Sequence, residues 1–251
     1  MGEGLMEIRP IAYFRSPFPE KFGIPRQAGL AGSLRGQIVF EPEFRSADAV
    51  RGLEGFDYLW LIWGFSAVPR EACSSLIEVP SEASVREIVR PTDICPADKT
   101  SFKATVRPPR LGGNERVGVF ASRSPFRPNG LGLSSVKIAS ILDGPVIEVM
   151  GADLMDGTPI YDIKPYVEYA DSHPGVRSGF VDSHGRTTLE VVLPPDAGDN
   201  GLDIIALKEV LSLDPRPSYH DDPSKVYGLS FSGHNVRFKV EGGVLTVLDI
   251  D

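Results

Sequence analysis

The chain has 251 residues, a formal net charge of −8, 41% hydrophobic residues, 26 glycines and 22 prolines. That length can bury a core in one large or two small domains, and the Gly and Pro are scattered, which indicates a loop-rich folded protein rather than a disordered one. No apolar run approaches the ~20 residues of a membrane span. The opening MGEGLMEIRP lacks the charged head and apolar core of a signal peptide, so a cytoplasmic protein without a membrane partner is expected. Cys73 and Cys95 leave one disulfide open but imply no framework, and they suit a reducing compartment.

In chain order, Ile8 to Phe14 is expected to be the first strand. A long loop broken by Pro17, Pro19 and Pro25 follows, and Gly36 to Phe40 is the next short strand. Ala47 to Leu53 forms a short helix or turn ended by Gly55. The run LWLIWGF, Leu59 to Phe65, is too short to span a membrane and is expected to be a strand buried on both faces, with its two tryptophans in the core. Pro69 to Lys103 is polar and proline-punctuated, with a candidate helical turn at Ser84 to Val89, and is read as an insertion or lid. Its Cys-x21-Cys spacing fits no metal-ligand pair, so no metal is expected.

Val117 to Ser122, Ser134 to Ile141 and Val146 to Met150 are three further expected strands, the last two joined by a turn at Asp143-Gly144. Strands recur closely without intervening long helices, so the chain is mainly β: an antiparallel barrel or sandwich rather than βαβ units. The texture changes after Tyr169. We expect a first domain over 1–172 and a smaller α+β domain over 173–251. The latter holds a helix at Leu202 to Leu213, with Asn200 or Asp199 as N-cap and Leu202, Ile205, Leu207, Val210 and Leu211 as its docking face. A hairpin at Val236 to Leu248 follows.

The chemistry concentrates in two stretches. Lys103 to Arg127 carries six cations (Lys103, Arg107, Arg110, Arg116, Arg123, Arg127) against Glu115 alone, a local +5 on an acidic protein. Such a patch suits phosphate, and guanidinium forks held among prolines and glycines suit carboxylates. Asp153 to Tyr166 places Asp153, Asp156 and Asp162 around an Asp-Gly-Thr-Pro turn. There is no G-x-G-x-x-G after a strand and no Walker motif. All four histidines (His173, His184, His220, His234) lie outside the arginine stretch, so a Ser-His-Asp triad is unsupported. Ser122, Ser124 and Ser134 are expected to cap or turn. What is left is a site without a nucleophile, which works by aligning two bound partners.

The words VRPPRLGGNERVGVFASRSPFRPNGLGLSSVKI and DLMDGTPIYDIKPY closely resemble the TsaA-like (YaeB-like) family of TrmO-type tRNA methyltransferases. FRSPFPEKFGIPRQAGL, ADAVRGLEGFDYLWLIWGF, DPRPSY and NVRFKV extend the resemblance over nearly all of the chain except Pro69 to Lys103. It implies a small antiparallel β-barrel that binds S-adenosylmethionine, a homodimer with the donor near the subunit interface, and methylation of N6 of N6-threonylcarbamoyladenosine at position 37 of tRNA. It assigns donor contacts to Pro25, Arg26, Gln27, Arg123, Leu133, Asp153, Asp156, Gly157 and Thr158. Related sequences often carry a His-Gln pair after the aromatic strand; this chain has Ser66-Ala67, where backbone contacts would remain without that His side chain. Of the carboxylates, Asp156 and Asp162 are the candidate catalytic bases, because a urea-like N6 becomes nucleophilic only as its proton leaves. Arg107, Arg110 and Arg127 are the expected RNA contacts. Two other readings stay open: a non-catalytic adenosine-ligand or RNA-binding module, and a methyltransferase for another substrate.

Overall fold

The computed structural model describes residues 8–66, 104–108, 115–185, 187–198, 201–217 and 222–251. The expected insertion with both cysteines, Ala67, Arg110, His220 and the two N-cap candidates Asp199 and Asn200 lie outside those residues. Strands β1 (Ala12–Arg15), β2 (Arg35–Phe40) and β3 (Tyr58–Gly64) come first, with helix α1 (Ala47–Val50) between the last two. The two-residue strands β4 (Thr105–Val106) and β5 (Val117–Gly118) make a small ribbon of their own. Then follow β6 (Leu131–Leu142), β7 (Val146–Met150), β8 (Pro159–Pro165) and the single-turn α2 (Glu168–Asp171).

Six strands close into an antiparallel barrel in the order β1-β2-β7-β6-β3-β8, with β8 returning to β1. Closure leaves one inside, so each strand alternates. Phe14, Ile38, Leu59, Leu61, Val136, Ile147, Val149 and Ile160 are all at 2% exposure or less. Burial of each such side chain stabilises the fold by about 1.5–3 kcal/mol.

Alternation also corrects the reading of the aromatic run. Leu59, Leu61 and Trp63 face the core, whereas Trp60 lies half-buried on the outside against Tyr166, ring centroids 5.8 Å apart. β1 begins later than expected: Pro10 has no N–H to give to a ladder, and pairing starts where Ile11 N donates to the Ile160 carbonyl. Val117 to Ser122 is strand for only two residues, because Ser122 folds back, its N–H and hydroxyl both donating to the Val119 carbonyl. β8 was not anticipated at all. It starts on a proline and mixes Tyr, Asp and Lys, so it carries no clean period.

The tail is a four-stranded sheet in the order β10-β11-β12-β9, built from β9 (Glu190–Val192), β10 (Tyr227–Phe231), β11 (His234–Glu241) and β12 (Val244–Ile250). Helix α3 (Ile204–Ser212) packs on it. Asp203 is its N-cap, its carboxylate accepting from Ala206 N at 3.0 Å. Ala206, Leu207, Val210 and Leu211 form the buried stripe, while Ile205, expected to dock, is 66% exposed.

The loop between β1 and β2 belongs to both units. Phe18, Ala31 and Leu34 sit in the tail's hydrophobic cluster with Leu229 and Phe231. Glu209 of α3 accepts from Ser33 N at 2.8 Å and Ser33 Oγ at 2.9 Å. On the barrel side, Gly29 N donates to the Gly151 carbonyl and Gly151 N to that of Leu34. Gly23 has φ +89°, and a Cβ there would fall 2.1 Å from Cδ1 of the fully buried Leu229. Gly23→Ala is therefore expected to lower the unfolding free energy by about 2 kcal/mol in urea titrations. A change near zero would mean that this loop is not locked to the tail core.

Candidate active site

Three segments converge at the end of the barrel where β3 stops and β6 begins. They are the residues around Gln27, the Arg123 turn and the segment after β7. Ser134 points inward from β6 at 2% exposure. Its hydroxyl accepts from Trp63 Nε1 at 3.0 Å and donates to Asp153 Oδ1 at 2.6 Å. Gly132 makes this chain possible, because a Cβ there would lie 2.3 Å from the Trp63 ring. Arg123 donates to Gln27 Oε1 at 2.5 Å, and its charge acts on Asp153. Burial pushes the Asp153 carboxyl above the ordinary aspartate range, while Ser134, the peptide N–H groups of Asp153 and Ala28, and Arg123 oppose the rise.

The other residues singled out in the sequence distribute around this centre. Asp156 accepts from Ser16 N at 3.0 Å and pairs with Arg15 at 3.5 Å. Gly157, at φ +73°, turns the chain so that its N–H meets the Phe14 carbonyl. Thr158 is buried, its hydroxyl donating to the Met155 carbonyl at 2.7 Å, so it shapes the turn. Leu133 and Asp162 face outward on either side of Ile62, in register across β6, β3 and β8. Asp162 pairs there with Lys164 at 3.2 Å. A β-bulge beside this row leaves Tyr161 as the extra residue, its ring over Gly64. Ser66 is exposed just past β3. Pro25 and Arg26 turn away from Asp153, toward a cavity shared with the tail. The three carboxylates thus have three separate settings instead of one cluster.

The arginine stretch is also divided. Arg116 donates to Thr105 Oγ1 and the Thr105 carbonyl, fastening the β4–β5 ribbon. Arg127 Nη1 donates to the Ser122 carbonyl at 2.6 Å and to that of Val119 at 3.3 Å, beneath the Phe120 ring. Arg107 is exposed. None of Arg107, Arg116, Arg123 and Arg127 is within 4.0 Å of a carboxylate among the described residues.

Ser134, Trp63, Arg15 and Tyr161 were missed as site residues. A serine at an inward position, between Gly132 and Val136, was the available signal for Ser134.

A closed β-barrel with a half-buried carboxylate, a guanidinium fork and an amide at its rim, and no nucleophile–base pair among the described residues, suits a group-transfer protein that aligns its partners. Family models give the particular kind. The tRNA-methyltransferase O N-terminal domain matches residues 13–95 and 92–172, and the corresponding C-terminal domain matches 201–251. The tRNA (adenine(37)-N6)-methyltransferase of Escherichia coli is 33% identical over 247 residues, covering 93% of each chain. A Pseudomonas aeruginosa protein with the description "Putative S-adenosylmethionine-dependent methyltransferase RcsF" is 34% identical over 97% of this chain and 96% of its own. The crystal structure of TrmO from P. aeruginosa superposes with a TM-score of 0.71 at 28% identity, over 99% of this chain and 100% of that one. The chain belongs to the tRNA-methyltransferase O family.

Asp153 also sets a pH dependence of stability. Its folded pKa is raised, so the folded state holds the proton more tightly than the unfolded one, and stability is lost as pH rises through the raised value. Asp153→Asn has no charge to bury. Its melting temperature minus that of the wild type should therefore grow from about pH 4 to about pH 8 in calorimetric scans. A constant or shrinking difference would contradict the burial effect.

Proposed function

We infer that this protein transfers a methyl group from S-adenosylmethionine to N6 of adenine 37 in tRNA, and that the acceptor adenine carries an N6-threonylcarbamoyl group. The supporting observation is the convergence of Gln27, Arg123 and Asp153 from three distant segments, in a chain of this family. The residues fit the donor: a fork and an amide suit its carboxylate, and a half-buried carboxylate suits its cationic groups. When bound, S-adenosylmethionine supplies a methyl group on a sulfonium. Ser134 and Trp63 hold Asp153 in one orientation. Asp156 and Asp162 are the candidate acceptors of the N6 proton, and Arg15 fixes Asp156. Pro25, Gly157 and Thr158 contribute backbone shape, and exposed Ser66 offers only its backbone and hydroxyl where relatives have His.

The outward Leu133, 55% exposed in a row with Asp162, supports a homodimer whose second copy covers this face. Light scattering should show Leu133→Glu as a monomer if so, and as an unchanged dimer if another face is used. RNA phosphates are the proposed partners of Arg107 and Arg110, with Arg127 contributing what its carbonyl contacts leave. Neutralising Arg107 and Arg110 should flatten the salt dependence of tRNA binding, the slope falling by about 0.7–0.9 for each phosphate left without its cation.

The defining experiment supplies labelled donor with tRNA, with and without the threonylcarbamoyl group. Incorporation is expected only with the modified tRNA. Equal labelling of both would remove that specificity, and donor binding without transfer would favour a sensor. Arg123→Lys is expected to lose most of the transfer while its melting temperature hardly moves, since Lys cannot reproduce the fork and the residue is exposed. A lower melting temperature with activity retained would make Arg123 structural.

A further inference from the structure

The loop that carries Arg123 is braced by its own short bonds rather than by a sheet. Val119 is buried at the head of a 3-10 turn, Val119–Ala121, and Ser122 Oγ donates to its carbonyl at 2.8 Å. Ser122 Oγ also accepts from Ser124 N, and Ser124 Oγ from Phe126 N, both at 3.3 Å. Arg127 Nη1 closes the loop on the Ser122 and Val119 carbonyls, and Gly130 N donates to the Arg127 carbonyl at 3.1 Å. Pro125 and Pro128 fix φ at two further positions. Two phenylalanines stand out to solvent on this braced loop, Phe120 at 70% and Phe126 at 52% exposure. Among the described residues no other phenylalanine is as exposed. The two share a neighbourhood: the Arg127 guanidinium lies 5.8 Å from the centroid of the Phe120 ring, and Arg127 follows Phe126 in the chain.

Because the loop is already ordered, a flat ligand meets a preformed surface and loses little entropy in fixing it. The surrounding charge decides which flat ligand. Lys103 to Arg127 holds six cations against one carboxylate. Arg123 is three residues from each phenylalanine, so its Cα is at most about 11 Å from either of theirs, and its side chain reaches Gln27. Rings interleaved with guanidinium groups match the unstacked bases of an RNA loop: each ring takes the face of a base, and the cations take the phosphates between. A second copy of the chain meeting here across a two-fold axis would instead set this cationic stretch against itself. An enzyme that modifies a base draws it out of the stack, and the bases on either side each lose a stacking partner. We propose that Phe120 and Phe126 replace those lost partners, stacking the unpaired bases that flank the acceptor adenine while that adenine is presented to the cluster around Arg123. This rests on the tRNA reading above and deepens it, adding base contacts to a surface so far given only phosphate contacts. Since every base has a π-face, the platform positions the loop without reading its sequence.

The test titrates the protein with a tRNA anticodon stem–loop carrying the modified adenine, either intact or with an abasic residue at position 36 or 38. Phe126→Ala is expected to bind the intact loop about tenfold more weakly with an unchanged salt slope, because a lost stack releases no counterions. Phe126→Tyr should bind like the wild type and Phe126→Leu like the alanine variant, since the ring and not mere apolarity is used. One of the two abasic loops should bind the wild type about tenfold less tightly and lose nothing further with Phe126→Ala. Phe120→Ala should couple in the same way to the other abasic loop. Donor affinity by calorimetry should stay within about twofold of wild type in both alanine variants. Equal wild-type affinity for the intact and both abasic loops would overturn the proposal whether or not the variants fold. So would full binding by Phe126→Leu, or an equal loss on all three loops in Phe126→Ala. A loss of donor affinity beyond about tenfold, or a changed oligomeric state by light scattering, would assign the rings to the donor or to a subunit contact instead. Failure of the wild type to methylate the intact loop would remove the tRNA reading itself, whereas methylation by the wild type and by both alanine variants at equal kcat/KM would remove only the platform.

Discussion

The β1–β2 loop is pinned between two hydrophobic cores, and the geometry of the site depends on that pinning. On one side its peptide groups bond to Gly151 and its neighbour Ser16 to Asp156; on the other, Phe18, Ala31 and Leu34 are buried in the tail. A free loop of this length would lose the positions of Arg26, Gln27 and Ala28 to conformational entropy. Prolines 17, 19 and 25 reduce that entropy further by fixing φ. The tail thus supports the candidate site through packing.

The barrel contributes rigidity of a different sort. Closure fixes which side of each strand is inside, and the site uses both sides. Ser134 and Trp63, inside, set the direction of Asp153; Leu133 and Asp162, one position away along the same ladders, look out. A one-residue slip of β6 would exchange these sets. Gly132 under the indole and the bulge at Tyr161 mark where the ladder is adjusted to bring the rim residues together.

Much of the barrel could be read from the sequence, because β2, β6, β7 and the tail hairpin are short runs rich in β-branched and other apolar residues, without long helical patterns between them. Inside and outside were harder. LWLIWGF is apolar at every position, and only the closed barrel shows that Trp60 and Ile62 are outward. β8 has no period to recognise, and Asp203 was passed over as N-cap in favour of residues nearer the loop. For the site, residue types and the two rich stretches were legible, and so was the family. The partition of the carboxylates was not. Whether Asp153, Asp156 and Asp162 share a site is decided by strand parity and by partners such as Arg15 and Ser134, which lie far away along the chain, as Ser16 lies 140 positions from Asp156. The membership of Phe18, Ala31 and Leu34 in the tail core is equally long-range and leaves no local trace.

Keeping a carboxylate under cover at Asp153 has a consequence for the protein's life between turnovers. Burial raises the Asp153 carboxyl above the ordinary aspartate range, so its ionised form costs the fold stability that the unfolded chain, which solvates it, does not lose. A cation arriving at that position relieves the burden and shifts the folding equilibrium by mass action. In the proposed reading the methyl donor acts as a chemical chaperone as well as a reagent.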